Sequence, residues 1–221
     1  DQLDTRLPPV VEAAALPQGK AIASWIDHTL LKPEATSAQV ERLCLEALQY
    51  QFATVCINPA YVSLAARRLA GSTVKVCTVV GFPLGATMTT SKVMETYACL
   101  EDGAQEIDMV LNVGALKSEA FGMVLNDIQG VVQAAHNQRA IVKVILENAL
   151  LTRKEKILAC LLCQAAEADF VKTSTGFAAS GATLEDVDLM RRVVGAGMGV
   201  KAAGGVRSYA EALAMIRAGA S

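Results

Sequence analysis

Strand-like and helix-like segments alternate along nearly the whole chain, and this order limits the possible folds more than any other feature. Each short apolar segment is followed by apolar residues at the spacing of an amphipathic helix. Such alternation predicts a parallel sheet with right-handed crossovers. Neither a GxGxxG motif nor a P-loop occurs, so a (β/α)₈ barrel is favoured over a doubly wound nucleotide-binding fold. The seven predicted strands are Trp25–Leu31, Phe52–Asn58, Thr73–Val80, Glu106–Asn112, Ala140–Glu147, the start of Asp169–Gly176, and Gly199–Ala203.

Length and composition fit one barrel domain. The chain has 221 residues and is 52% hydrophobic, which is enough for a large core. We expect a single domain over residues 1–221, with residues 1–20 as an N-terminal extension that carries a short helix around Val10–Leu16. Capping boxes are predicted at the starts of three helices, at Thr36–Gln39, Thr152–Glu155 and Ser208–Glu211.

The predicted strands place polar side chains on one face and apolar side chains on the other. In the fourth strand, Ile107 and Met109 alternate with Glu106 and Asp108, and other strands follow the same parity. We expect the apolar face to pack on the helices and the polar face to line the barrel lumen. Four strands then bring charged residues to a common centre, namely Asp108, Lys143, Glu147, Lys172 and Lys201.

Lys172 is the candidate nucleophile, because it ends a short buried strand. Desolvation disfavours an ammonium group, and a neutral lysine amine attacks carbonyl groups. Lys201 is predicted at similar depth on the adjacent strand, where two ammonium groups would disfavour each other. Asp108 across the lumen can hold a proton and order a water, which completes the parts of Schiff-base chemistry. The alternatives are a lysine that reaches solvent, or a buried Lys–Asp network that only stabilises the barrel.

Two glycines after the seventh predicted strand offer an anion site. Gly204 and Gly205 precede a capped helix, so their backbone N–H groups are available to a phosphate, and Arg207 could add positive charge. A plain strand–helix turn is the alternative interpretation.

Composition and motif content argue against other ligand classes. The net charge is −2 and no basic block occurs, so neither nucleic acid nor an anionic membrane is expected as a partner. No apolar run has the length of a membrane span, and the N-terminus lacks the layout of a signal peptide. Neither histidine lies in a ligand-spaced cluster, and Cys160-x-x-Cys163 stands alone in a helix, so no metal site is predicted. Six cysteines spread through apolar segments are typical of a reducing cytoplasm.

Six motifs, in chain order, resemble those of deoxyribose-phosphate aldolases of the class I (lysine) type. They are IDHTLLKP, ATVCINP, EIDMVLN, VKVILE, DFVKTSTGF and VKAAGGVR, and the resemblance runs from about Trp25 to Gly219. It implies a TIM barrel that reversibly cleaves 2-deoxy-D-ribose 5-phosphate into acetaldehyde and D-glyceraldehyde 3-phosphate. The implied ligands are a small phosphorylated sugar and acetaldehyde, with no metal and no other cofactor. The sequence leaves the oligomeric state open, including a homo-oligomer.

The resemblance also implies roles for individual residues. Lys172 is the Schiff-base nucleophile, Lys201 is the cation that favours its neutral amine, and Asp108 is the proton-relay acid. Lys143 supports Asp108 in the lumen. The further residues that it implies for substrate and phosphate binding are Asp27, Thr29, Cys56, Thr175, Gly176, Gly204, Gly205 and Arg207.

The family pattern continues beyond the AGAS that ends at Ser221. It continues into an eighth strand and a Gly-Ser-Ser-type loop that closes the phosphate site, and we expect both to be missing from this sequence. Two alternatives to the implied activity follow. One is another class I phospho-aldolase on the same fold, against which VKTSTG and AAGGVR argue. The other is a catalytically impaired phosphosugar-binding barrel.

Overall fold

The computed structural model describes residues 7–8 and 16–221, which form one sheet of seven parallel strands with helices between them. The strands are β1 (Asp27–Leu30), β2 (Thr54–Ile57), β3 (Lys75–Val80), β4 (Glu106–Val110), β5 (Ile141–Ile145), β6 (Phe170–Lys172) and β7 (Gly199–Lys201). The α-helices are α1 (Ser37–Tyr50), α2 (Val62–Leu69), α3 (Thr89–Glu101), α4 (Val113–Lys117), α5 (Phe121–His136), α6 (Arg153–Ala165), α7 (Leu184–Val194) and α8 (Tyr209–Arg217).

The strands pair in chain order from β1 to β7, which confirms the predicted parallel sheet. Although β1 and β7 are the two edges of this sheet, the ammonium group of Lys201 on β7 is paired with the carboxylate of Asp27 on β1. The sheet is therefore curved into a barrel of the (β/α)₈ type. Beside β7, the backbone N–H of Ser221 donates to the carbonyl of Val200 at 2.9 Å.

The two faces of the strands divide as the sequence parity predicts. Outward residues such as Val55, Met109, Val144 and Val200 belong to the main apolar core beneath the helices. The inward face holds a smaller apolar cluster of Leu31, Cys56, Cys77 and Val79, together with the charged residues of β4 to β7. A side chain that points inward from one strand therefore meets those of other strands, which is how distant parts of the chain share one site.

The three predicted capping boxes are confirmed, whereas the bounds of several elements differ. Capping boxes lie at the starts of α1, α6 and α8, with Thr36, Thr152 and Ser208 as the N-cap residues. In each box, side chains accept hydrogen bonds from backbone N–H groups that the first helical turn leaves unpaired. Trp25 was predicted to begin the first strand, but it ends a 3₁₀ helix, Gly19–Trp25, and β1 begins at Asp27.

Helix α4 was not predicted, because Asn112 caps it directly after β4 and leaves no loop signal between them. The short helix predicted around Val10–Leu16 lies outside the described residues, apart from Leu16. Among the helices of residues 7–8 and 16–221, none has both the length and the apolar character needed to cross a membrane.

Candidate active site

Strand register brings the predicted catalytic residues together in two neighbouring pairs. Asp108 on β4 is the register partner of Lys143 on β5, and Lys172 on β6 is the register partner of Lys201 on β7. Lys172 and Lys201 are the last residues of their strands, so they lie at the carboxyl ends, which is where barrel enzymes carry their active sites.

Asp108 is the hub of the site and is fully buried. Its Oδ2 accepts from the ammonium group of Lys172 at 2.6 Å and from that of Lys201 at 3.3 Å. Its Oδ1 accepts from Lys143 at 2.9 Å and from the thiol of Cys77 at 3.2 Å. Burial alone would raise the pKa of Asp108, but the three lysines outweigh it and hold that pKa well below its ordinary value. The side chain is therefore a carboxylate at neutral pH.

Lys143 has the largest number of counter-ions among the three lysines. Besides Asp108, its ammonium group pairs with Glu106 at 2.6 Å and with Asp27 at 3.5 Å. Burial lowers the pKa of Lys143, but these carboxylates raise it well above its ordinary value. Lys143 is therefore a permanent ammonium that fixes the position of Asp108.

Lys201 is held by two carboxylates, those of Asp27 and Asp108. Burial lowers the pKa of Lys201, but the two carboxylates outweigh it and the pKa rises above its ordinary value. For Asp27, burial raises the pKa, while Lys201 and Lys143 lower it to about 2. Asp27 thus keeps Lys201 charged across the physiological pH range.

Lys172 differs from the other two lysines in its counter-ions. Within the described part of the chain, its ammonium group pairs with one carboxylate, that of Asp108, and it shares the same oxygen with Lys201. Lys172 therefore has fewer carboxylate partners than Lys143 or Lys201. The arrangement supports Lys172 as the amine that attacks a carbonyl.

Two cysteines lie beneath these lysines. Cys56 and Cys77 are register partners on β2 and β3, and both are fully buried. A hydrogen bond with Cys77 lowers the pKa of Cys56, whereas burial raises the pKa of Cys77 well above its ordinary value. Cys56 therefore belongs to the wall beneath the site, and it contacts other protein groups rather than an open substrate cavity.

The same region holds two groups of side chains with the geometry of metal ligands, which the sequence did not predict. Their ligand atoms lie within 4.8 Å of one another in the sets Cys56–Cys77–Asp108 and Asp27–Cys77–Glu106. The carboxylates of both sets are already paired with lysine ammonium groups. A cation would have to displace those lysines, because the carboxylates of both sets already belong to the ion-pair network.

The loops after β6 and β7 contact each other at the predicted phosphate segment. A Cβ atom added to Gly204 would lie 3.7 Å from the Cα of Gly176 and 3.0 Å from that of Gly181. Gly204 and Gly205 have φ angles of +82° and +87°, a region that favours glycine. Among the described residues, no acceptor is paired with the backbone N–H of either glycine. These donors are therefore available to an anion.

Thr175 is adjacent to this segment, but its donors are already used. Its backbone N–H lies 3.3 Å from the buried carboxylate of Glu147, and its hydroxyl donates to the same group. The Thr175 hydroxyl also accepts from the N–H of Phe177 at 3.0 Å. Thr175 thus shapes the loop through Glu147 and offers no free donor to a ligand.

Two other predicted binding residues are at the surface. The exposed Thr29 donates its hydroxyl to the backbone carbonyl of Asp27 at 2.8 Å, which stabilises the end of β1. Arg207 is exposed beside the Gly204–Gly205 turn, with its side chain toward solvent. The backbone N–H groups of Arg207 and Ser208 donate to Glu211, so the start of α8 is already capped. An anion here would therefore be bound by the turn rather than by the helix.

Sequence reasoning did not assign roles to Glu106, Cys77 and Phe82. Glu106 was predicted on the polar face of its strand. Because residues two apart on a strand share a face, it could have been added to the predicted group of charged residues in the lumen. The role of Cys77 depends on the register between β3 and β4, which no local pattern encodes. Phe82 lies in the segment GFPLG, which directly follows β3.

Comparison with known proteins finds similarity to aldolases over most of the chain. Residues 21–221 match the model of a family described as DeoC/LacD family aldolase. A deoxyribose-phosphate aldolase from Streptococcus gordonii is 59% identical over 197 residues, which are 89% of this chain and 89% of that protein. One from Clostridium perfringens is 56% identical over 200 residues, 90% of this chain and 89% of that protein. The tetrameric deoxyribose phosphate aldolase of Aeropyrum pernix has a TM-score of 0.86 and 37% identity, over 93% of this chain and 86% of that one.

Proposed function

The chain belongs to the DeoC/LacD family of aldolases, and from this premise we propose that it catalyses a reversible aldol cleavage. The substrate is 2-deoxy-D-ribose 5-phosphate, and the products are acetaldehyde and D-glyceraldehyde 3-phosphate, as the names of its relatives at 56–59% identity support. The observation that carries the proposal is the buried cluster in which Lys172 and Lys201 share one oxygen of Asp108.

The reaction begins with the amine of Lys172. In its neutral form, Nζ attacks the aldehyde carbon of the open-chain sugar, and the resulting carbinolamine loses water to give an iminium ion. Lys201 remains charged beside it and disfavours a second ammonium group at Lys172. The iminium ion then withdraws electrons from the C2–C3 bond, so the lysine itself supplies the electron sink.

Asp108 is the group that moves protons during this sequence. The C3 hydroxyl loses its proton as the C2–C3 bond breaks, which releases D-glyceraldehyde 3-phosphate and leaves an enamine on Lys172. The enamine carbon is then protonated, and hydrolysis of the imine releases acetaldehyde and the free amine. Asp108 lies 2.6 Å from Nζ of Lys172, within reach of both transfers through one water. Lys143 holds it in place.

The phosphate of the substrate is bound by the segments after β6 and β7. The free N–H groups of Gly204 and Gly205, next to Gly176, form the anion site, and Arg207 adds positive charge at its rim. Asp27 holds the ammonium group of Lys201, and Lys143 holds the carboxylate of Asp108. Cys56 forms part of the wall beneath the site, and Thr29 stabilises the end of β1. Thr175 shapes the phosphate segment through Glu147.

We also propose the setting in which the enzyme works. The ligands are a phosphorylated sugar and acetaldehyde, and no nucleic acid takes part, since the net charge is −2 and no basic block exists. A homo-oligomer is supported by the tetramer of the Aeropyrum pernix protein. All six cysteines are unpaired, which supports a reducing compartment such as the cytoplasm.

The proposed activity is tested by incubating the protein with 2-deoxy-D-ribose 5-phosphate and measuring both products. We expect acetaldehyde and D-glyceraldehyde 3-phosphate in equal amounts, and we expect the rate to persist in EDTA, because a protonated imine replaces a metal as the electron sink. Turnover that disappears in EDTA and returns with zinc would contradict the mechanism.

The same assay separates the two alternatives. A catalytically impaired phosphosugar-binding barrel would bind the sugar phosphate without releasing acetaldehyde. Another class I phospho-aldolase would turn over a keto-sugar phosphate faster than 2-deoxy-D-ribose 5-phosphate.

A further inference from the structure

Two phenylalanine rings from opposite sides of the barrel contact each other. The ring centroids of Phe82 and Phe177 are 5.3 Å apart, at an interplanar angle of 87°, which is a favourable edge-to-face contact. Phe82 follows β3 and Phe177 follows β6, and β4 and β5 lie between these strands in the sheet. Because the sheet is curved into a barrel, a contact between these two loops crosses the open end of the lumen.

Both rings lie in loops that leave the carboxyl ends of their strands, the same end of the sheet at which Lys172 ends β6. Phe82 packs against the inward cluster of Leu31, Cys56, Cys77 and Val79, and the thiol of Cys77 lies 3.2 Å from Asp108. On the other side, Phe177 comes five residues after Lys172, and Asp108 and Lys172 themselves are 2.6 Å apart. The two rings therefore join the loop that follows the nucleophile to the wall that carries Cys77.

The two rings differ in burial and in how their loops are held. The loop of Phe82 is fixed at both ends: the N–H of Gly81 donates to Glu95 at 2.8 Å, and Gly85 lies directly against the carbonyl of Leu111. Phe177, by contrast, is 51% exposed and follows Gly176, which has a φ of +87°, although its backbone N–H donates to the Thr175 hydroxyl at 3.0 Å. The ring of Phe82 is thus the more buried of the two, and the ring of Phe177 is the more exposed.

We propose that the Phe82–Phe177 pair, which we call the aromatic bridge, determines the size of the aldehyde donor that reaches Lys172. It admits the two-carbon donor acetaldehyde and excludes donors with an additional carbon, such as propanal. The inference rests on the proposed aldolase function. Its physical basis is steric, because an added methyl group on the enamine carbon would have to displace the edge of one ring from the face of the other.

The test uses the synthesis direction, with D-glyceraldehyde 3-phosphate as acceptor and either acetaldehyde or propanal as donor. We expect Phe177→Ala to raise the ratio of kcat/KM for propanal to that for acetaldehyde by about tenfold or more, since one methylene group is worth about 10- to 200-fold in a close-fitting apolar site. Phe82→Leu should raise the ratio in the same direction. The matched control is Leu84→Ala, which alters a 76% exposed side chain in the same loop as Phe82 and should leave the ratio unchanged.

The outcomes separate this proposal from the activity on which it rests. If the parent protein does not cleave 2-deoxy-D-ribose 5-phosphate, the proposed function is wrong. If the parent is active but neither variant changes the donor ratio, the aromatic bridge does not select the donor. A change in Phe177→Ala confined to the KM of D-glyceraldehyde 3-phosphate would likewise overturn the proposal, because it would assign the ring to the acceptor.

Discussion

The Asp108→Asn variant should still form an imine that borohydride traps, but its turnover should be about 10²- to 10⁴-fold slower than that of the parent. Asparagine keeps the size of the side chain, but its single amide oxygen can accept from either Lys143 or Lys172 and not from both, and the carboxylate that exchanges protons is lost. Without that carboxylate, Lys172 loses its counter-ion, so its neutral amine becomes easier to form. The step that fails is protonation of the enamine carbon.

The measurement for this variant is deuterium exchange at the methyl group of acetaldehyde, made alongside reductive trapping. Asp108→Asn should trap an adduct yet exchange deuterium slowly. The matched control is Asp127→Asn, because Asp127 is also a buried carboxylate in a lysine pair, 2.5 Å from Lys92 on the outer side of the sheet. It should lose stability by about 3–5 kcal/mol, as breaking a buried pair does, and exchange normally while folded. If Asp108→Asn traps nothing, Asp108 has been given the wrong role.

The Lys201→Leu variant should lose activity at pH 7 and recover part of it as the pH is raised. The carboxylates of Asp108 and Asp27 outweigh burial and raise the pKa of Lys201, so this lysine is a cation throughout the assay range. Its removal leaves Asp108 to stabilise the ammonium form of Lys172, and the neutral nucleophile then requires a higher pH. A neighbouring charge shifts the protonation equilibrium of an ionisable side chain by roughly 1–3 pH units. We therefore expect the activity of Lys201→Leu at pH 7 to fall on the order of 10- to 1,000-fold.

The pH dependence of adduct formation checks this prediction. The profile of Lys201→Leu should be displaced to higher pH, whereas Lys201→Arg, which keeps the positive charge, should lie closer to the parent. A profile of Lys201→Leu that coincides with that of the parent would show that Lys201 does not act on the protonation of Lys172.

The side-chain parity of the strands predicted four of the five charged residues that were expected to meet in the lumen, whereas Glu147 lies beyond the end of β5 and pairs with Thr175 instead. Asp108, Lys143, Lys172 and Lys201 lie on inward positions of neighbouring strands, and the structure joins them through contacts of 2.6–3.3 Å. Parity works here because a barrel has one interior, so any inward charged residue must meet the others.

Contacts that depend on loops or on helix packing were outside the reach of that reasoning. Glu147 has a φ of +58° and turns its carboxylate onto Thr175, a backbone conformation that no local pattern predicts for glutamate. Lys92 is fully buried between α3 and α5, where it pairs with Asp127, although a lysine in a helix ordinarily indicates the solvent face. The aromatic bridge joins two loops whose approach is set by the curvature of the sheet.

The central claim is that Lys172, and neither of the two lysines beside it, becomes covalently attached to the substrate. The most direct test is borohydride reduction in the presence of 2-deoxy-D-ribose 5-phosphate or acetaldehyde, followed by mass mapping of the peptides. The account predicts a reduced adduct on Lys172, with none on Lys143 or Lys201, whose ammonium groups each have two or more carboxylates as counter-ions. An adduct on Lys143 or Lys201 in place of Lys172 would contradict it.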